Sequence, residues 1–223
     1  MLAVLLSFPL SVAAQSGDRW SFQVSGLANY NDFGSGGTPL GGEIQIRHTP
    51  GVISIGGGVQ FLSASDADGV FAPVSTFDIN QSAYDESLSF VGVFVEPRWV
   101  YAASDQIAGY LSSRVSASRI KEDSRWAGAY CDFELTADCE RVEYDDVSRF
   151  EGLGVTGNLG GGFLIRLTNA VNLDVGATGG IQFYPSGEGF YRDFDTNQLV
   201  AYSDSETVLN VVVRVGLAIG IGG

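Results

Sequence analysis

Hydrophobic residues alternate with polar or small ones along most of this chain, and the final segment shows the pattern at its longest. From Leu209 to Ile221 every odd position is aliphatic, while Asn210, Arg214, Gly216, Ala218 and Gly220 occupy even ones. A period of two predicts a β-strand with one purely apolar face. The opposite face holds an arginine. A soluble protein turns such an aliphatic row inward. A transmembrane barrel turns it to lipid and keeps the polar row in the lumen.

The same alternation recurs in segments 20–30, 39–48, 52–63, 87–101, 106–121, 151–168, 171–184 and 206–221. Each is at least as long as the ~9–11 residues a tilted strand needs to cross a bilayer. The connections run long and short in strict alternation. Segments 31–38, 64–86, 122–150 and 185–205 are the long ones; 49–51, 102–105 and 169–170 are the short ones. An even strand count with long loops at one end and tight turns at the other marks an outer-membrane barrel. With the N-terminus on the periplasmic side, every short turn is periplasmic and every long loop is external.

Each segment has one face without charge, and the strand charges gather on the other: Glu43, Arg47, Glu96, Arg98, Arg114, Arg166, Asp174 and Arg214. An eight-stranded barrel has an interior just wide enough for side chains. Carboxylates and guanidiniums placed there meet and pair, with bidentate geometry open to them. Glycines on the same face, among them Gly56, Gly162 and Gly176, make room for the long arginines. A soluble barrel with the faces exchanged predicts Lys and Glu scattered over its outer surface. The single lysine, Lys121, lies at a segment end instead. Aromatic rings gather at strand ends, with Trp20, Trp99 and Tyr101 near the periplasmic side and Tyr30, Phe61 and Phe183 near the outer side, as membrane interfaces favour. The expected fold is therefore all-β: an eight-stranded antiparallel up-and-down transmembrane β-barrel.

Composition narrows the partners. The chain has 223 residues and a formal net charge of -14, which excludes nucleic acid, since phosphate binding needs a basic patch. Residues 1–14 are apolar, too short to span a bilayer as a helix, and end in Val12-Ala13-Ala14. They read as a secretory signal cleaved near Ala14-Gln15, leaving 15–223 as one barrel domain with four long extracellular loops. In an exported protein, Cys131 and Cys139 are expected to form a local disulfide. No cofactor or metal centre is expected, as no further Cys or His lies nearby to complete a zinc site. Acidic residues crowd the stretch 122–151, from Glu122 and Asp123 to Glu143, Asp145, Asp146 and Glu151. They read as a solvated anionic surface. The sharper alternative is divalent-cation binding by clustered carboxylates, with Glu143, Asp145 and Asp146 as the local candidate.

Taken together, these features resemble the small eight-stranded outer-membrane barrels of Gram-negative bacteria, the OmpA/OmpX type, over essentially the whole mature chain. The ending Arg214-Val215-Gly216-Leu217-Ala218-Ile219-Gly220-Ile221 looks like the C-terminal signal read by the barrel-assembly machinery. Family members usually end in an aromatic; here Ile219 and Ile221 stand in, and Gly222-Gly223 follow. The resemblance implies a place in the bacterial outer membrane, reached through the periplasm. It also implies contact with outer-membrane lipid and lipopolysaccharide. It specifies no activity. Some such barrels are lipid A-modifying enzymes that use histidine near the outer face. The only histidine here, His48, sits beside the short turn 49–51 on the periplasmic side, and no Gly-x-Ser-x-Gly elbow occurs. The expectation is a structural or surface-interaction barrel, not an enzyme, with its lumen closed by an Arg/Glu/Asp network. The alternatives are a narrow passive channel for small solutes, a lipid-modifying enzyme and a soluble secreted β-barrel.

Overall fold

The computed structural model describes residues 19–31, 38–68, 81–102, 104–131, 139–140, 146–192, 196 and 198–221. Among them every regular element is a strand: β1 (Arg19–Asn31), β2 (Leu40–Thr49), β3 (Ile53–Asp68), β4 (Gln81–Ala102), β5 (Ile107–Cys131), β6 (Cys139–Glu140), β7 (Asp146–Arg166), β8 (Val171–Arg192) and β9 (Leu199–Ile221). Eight of them pair antiparallel with their neighbours in a ring, and β6 pairs only with the end of β5. The ring closes where β9 meets β1, from Trp20↔Ile221 to Asn31↔Asn210. Closure removes the unpaired strand edges that lipid cannot tolerate. At the β2–β3 turn Gly51 adopts φ +87°, a left-handed conformation that glycine reaches without a Cβ penalty.

The alternation sorts side chains as a bilayer requires. Ile46, Val93, Leu111, Val115, Leu159 and Val215 point out and are exposed, Leu159 at 72%. Their inward neighbours Gln45, Glu96, Ser112, Arg114, Asn158 and Arg214 are buried. No soluble fold leaves so continuous an aliphatic surface in water while burying its arginines. A closed antiparallel barrel with an apolar belt and a polar interior is the architecture of bacterial outer-membrane proteins, and this chain has it.

Above the belt the faces exchange roles. Leu62, Leu88, Phe90, Ile120, Phe150 and Val208 point inward and pack with Leu27 into one buried apolar layer. Their outward neighbours Ser63, Ser87, Arg119, Lys121 and Thr207 are exposed. The strands continue past this level. That continuation corrects the expected loops. Much of 64–86, 122–150 and 185–205 is strand, since β3 runs to Asp68, β4 starts at Gln81, β5 runs to Cys131, β8 to Arg192 and β9 starts at Leu199. Outside the membrane, backbone pairing no longer needs an aliphatic outer row, so the sequence pattern that identifies a membrane strand fades while the ladder goes on. β5 spans 25 residues and β2 only 10, so the wall is lowest at β1–β2. Pro185 marks an irregularity: the β7–β8 and β8–β9 registers both shift beside it, where a proline has no N–H to give. Residues 1–14, Gly222 and Gly223 lie outside the described residues.

The level of the exchange is testable. Leu159→Arg, on the belt, should destabilise the folded barrel by about 2–4 kcal/mol, whereas Ser87→Arg, beyond it, should cost about 0–1 kcal/mol. Urea titration of folding into lipid vesicles, followed by the mobility of unboiled protein in SDS gels, measures both. Equal losses would show that the membrane boundary lies elsewhere.

Candidate functional site

The polar rows of the strands converge inside the belt on a set of charges that are 5% exposed or less. Glu96 of β4 is at its centre. Arg214 of β9 grips it with both ends of the guanidinium: Nη1 donates to Oε2 at 2.8 Å and Nη2 to Oε1 at 3.0 Å. This two-pronged geometry is the strongest a carboxylate and an arginine can make. Arg98 Nε donates to Glu96 Oε1 at 2.9 Å, and Arg47 Nη2 lies 3.5 Å from Oε2. Arg47 Nη1 also reaches the Glu96 carbonyl oxygen at 3.2 Å. Beside this point the β4–β5 pairing lapses at Glu96 and Pro97.

Asp174 of β8 forms a second centre. It accepts from the Tyr110 hydroxyl at 2.6 Å and from Gln23 Nε2 at 2.6 Å. Arg98 Nη1 lies 2.8 Å from Asp174 Oδ2, an ion pair. Tyr110 joins the two centres, since its hydroxyl also accepts from Arg214 Nη2 at 2.9 Å. The Arg98 guanidinium stacks on the Tyr110 ring, 4.2 Å from its centroid. At the third centre, Arg114 of β5 donates to Glu43 of β2 at 2.6 Å and to Gln60 of β3 at 2.6 Å, and lies 3.6 Å over the Phe94 ring. Arg214 Nη1, 3.4 Å from Glu43, links this centre to the first.

Seven of the eight expected charges thus meet: Glu43, Arg47, Glu96, Arg98, Arg114, Asp174 and Arg214. Arg166 does not belong with them. It is the last residue of β7, paired in register with Asn172 and exposed. Alternation gives it the right side of the strand but the wrong height. Glycine makes room for an arginine as expected at Gly56, where a Cβ would come within 2.7 Å of Arg47 Nη2; at Gly162 and Gly176 the group accommodated is instead the Tyr110 hydroxyl, with which a Cβ would collide. Sequence reasoning missed Tyr110, Gln23 and Gln60 as network members. Their polar-face parity was the available signal, and it says nothing of their partners.

Above the network lies a cavity of about 20 Å³ lined by Arg114, Ser116, Ser118, Thr156 and five carboxamides, with Leu62, Phe90 and Val212 of the apolar region on its other side. His48 stands on the outer face at the end that carries the short turns, its ring 4.6 Å from that of Trp20. Cys131 and Cys139 are register partners across β5 and β6. Asp132, Glu134, Asp138, Glu143 and Asp145 lie outside the described residues, and with them most of the candidate cation site. Among the described residues no group of His, Cys, Asp or Glu could hold a metal ion.

No protein-family model matches the sequence, and no curated protein matches it. Solved structures do. A major outer membrane protein from Thermus thermophilus is 14% identical with a TM-score of 0.51, over 91% of this chain and 99% of that one. Neisserial surface protein A is 15% identical at a TM-score of 0.46, covering 92% and 97%. Ail of Yersinia pestis, solved with the heparin analogue sucrose octasulfate, is 9% identical at 0.43, again covering 92% and 97%. The likeness to the Thermus protein shows a shared fold, an outer-membrane β-barrel.

Breaking one member of the network leaves its partners buried and unpaired. Glu96→Gln should therefore destabilise the barrel by about 3–5 kcal/mol. In a double-mutant cycle with Arg214→Met, the two losses should fall well short of adding. Additive losses in urea titrations would mean that the two groups act independently.

Proposed function

We propose that this chain is an integral barrel of the bacterial outer membrane with a structural or surface-interaction role, and that its lumen is closed to solutes. The observation carrying this reading is the two-pronged Arg214–Glu96 pair across the middle of the lumen. The buried layer of Leu27, Leu62, Leu88, Phe90, Ile120, Phe150 and Val208 supports it from the outer side. A solute crossing the barrel would have to part a buried ion pair and also thread an apolar layer. A ring-stacked His48 at the periplasmic end supports a role in anchoring at the interface, and no catalytic step is part of this reading. A narrow passive channel is the second reading. Among the described residues, the excess of four buried arginines over three buried carboxylates favours anions in that case.

The exterior supports the proposed partners. Arg119 and Lys121 stand exposed on the outer face of β5 where the aliphatic belt ends, beside their ion-pair partners Glu151 and Asp123. That is the height of lipid headgroups, and we place phosphates of lipopolysaccharide or other outer-membrane lipid against them. Recognition by the barrel-assembly machinery would fall to β9, whose outward row is aliphatic to its end. The Cys131↔Cys139 register suits a disulfide, since facing residues of an antiparallel pair bring their Cα atoms to about 4.5–5.5 Å, within the range such a bond needs. It would tie the outer turn between β5 and β7. Divalent-cation binding by the acidic residues around Glu143, Asp145 and Asp146 stays part of the proposal for that same turn.

Two measurements address these points. Purified protein in planar bilayers should give no stable conductance, and reproducible single-channel steps would replace the closed-lumen reading with the channel. Alkylation of the unfolded, unreduced protein should leave both cysteines unmodified. Two alkyl groups added without reductant would exclude the disulfide.

A further inference from the structure

The lumen charges do not balance. Among the described residues Arg47, Arg98, Arg114 and Arg214 are buried against only Glu43, Glu96 and Asp174. One guanidinium charge is left over inside a wall that faces lipid, where an unmatched ion carries a desolvation penalty of several kcal/mol. Glu122, the next carboxylate on the inward register of β5, is too far to offset it. It lies roughly 25 Å further along the strand than Arg114, past the apolar layer.

The cavity beside Arg114 is built to meet that excess. A guanidinium has five N–H groups, and Arg114 directs two of its nitrogens to Glu43 and Gln60, so further N–H groups remain. Ser118 Oγ accepts from Gln60 Nε2 at 3.1 Å, which leaves its own proton to donate, and Ser116 and Thr156 add hydroxyls to the lining. Four carboxamides complete it. The side-chain oxygens of Asn29, Asn158, Gln182 and Asn210 are all buried without a partner, whereas none of their nitrogens is. Asn158 Oδ1 is turned against the β8 wall, where it would crowd a Cβ at Gly180. With Oδ1 against the wall, the amino end is what Asn158 can offer the cavity. Around 20 Å³ admits one occupant about the size of a water molecule, too little for sulfate or phosphate.

We propose that this cavity is a binding site for a single monoatomic anion of the halide class, which neutralises the charge network. The site does not depend on whether the lumen conducts. In crystals grown with bromide, anomalous scattering should place one bromide in the cavity near Arg114. In detergent at fixed ionic strength, replacing gluconate by bromide should raise the temperature at which the folded gel band is lost by about 3–6 °C, saturably. Asn158→Asp supplies the missing negative charge covalently. This variant should show no bromide peak and should lose the halide dependence. In gluconate it should melt at least as high as the wild type in bromide. Absence of anomalous density from the wild-type cavity overturns the proposal, and so does an unchanged halide response in the variant. If Asn158→Asp does not fold, the wild-type bromide map decides alone.

Discussion

The interior of this barrel depends on one interaction across its full width, the grip of Arg214 on Glu96. Around the ring β9 and β4 are four places apart whichever way one counts, so the pair spans a diameter. The other contacts are shorter chords. Arg114 to Glu43 crosses from β5 to β2, Arg98 to Asp174 from β4 to β8, and Tyr110 reaches from β5 to the same Asp174. A barrel whose outer face must be aliphatic cannot also hold itself together by an oily core at the same height. Charge pairing and stacking on Phe94 and Tyr110 do at that level what leucines do in a soluble protein. At that level β1 and β3 supply glutamines and β7 supplies space, since Gly162 is what lets the Tyr110 hydroxyl sit between Asp174 and Arg214.

Above the belt the logic reverses within two or three residues on β3, β4, β5 and β9. On β5 the inward series passes from Arg114, Ser116 and Ser118 to Ile120, while the outward series passes from Val115 and Ala117 to Arg119 and Lys121. The backbone is the same on both sides of this line; only the solvent changes. Composition averaged over the chain hides the reversal, because the polar residues of one half cancel those of the other.

Alternation therefore carried a good deal of the information, but of one kind. It told which side of a strand a residue faces, and so placed Glu43, Arg47, Glu96, Arg98, Arg114, Asp174 and Arg214 on the inner wall. It could not tell height, which is set by strand stagger. Arg166 shares the parity of Asn158 and Gly162 yet ends at the rim. Tyr110 shares the parity of Arg114, but its link between Asp174 and Arg214 comes from three strands brought together by register. The ends of the strands were illegible for a different reason. Residues such as Ser82, Asp85 and Ser203 carry no aliphatic outer row, and only hydrogen bonding to a neighbour makes them strand. The cavity was least legible of all, since its polar lining comes from six strands.

Arg214 lies 118 residues beyond Glu96 in the chain. Its strand, β9, is also the one that closes the ring on β1. Without that strand Glu96 has Arg98 and Arg47 for company, and Asp174 holds the Tyr110 hydroxyl from two strands away. Arg214 is what ties those separate clusters into a single body. Ring closure and charge satisfaction thus depend on the same strand. An incomplete barrel lacks its final seam and its central pair together, so a sheet left open at β1–β9 also leaves Glu96 without its principal partner.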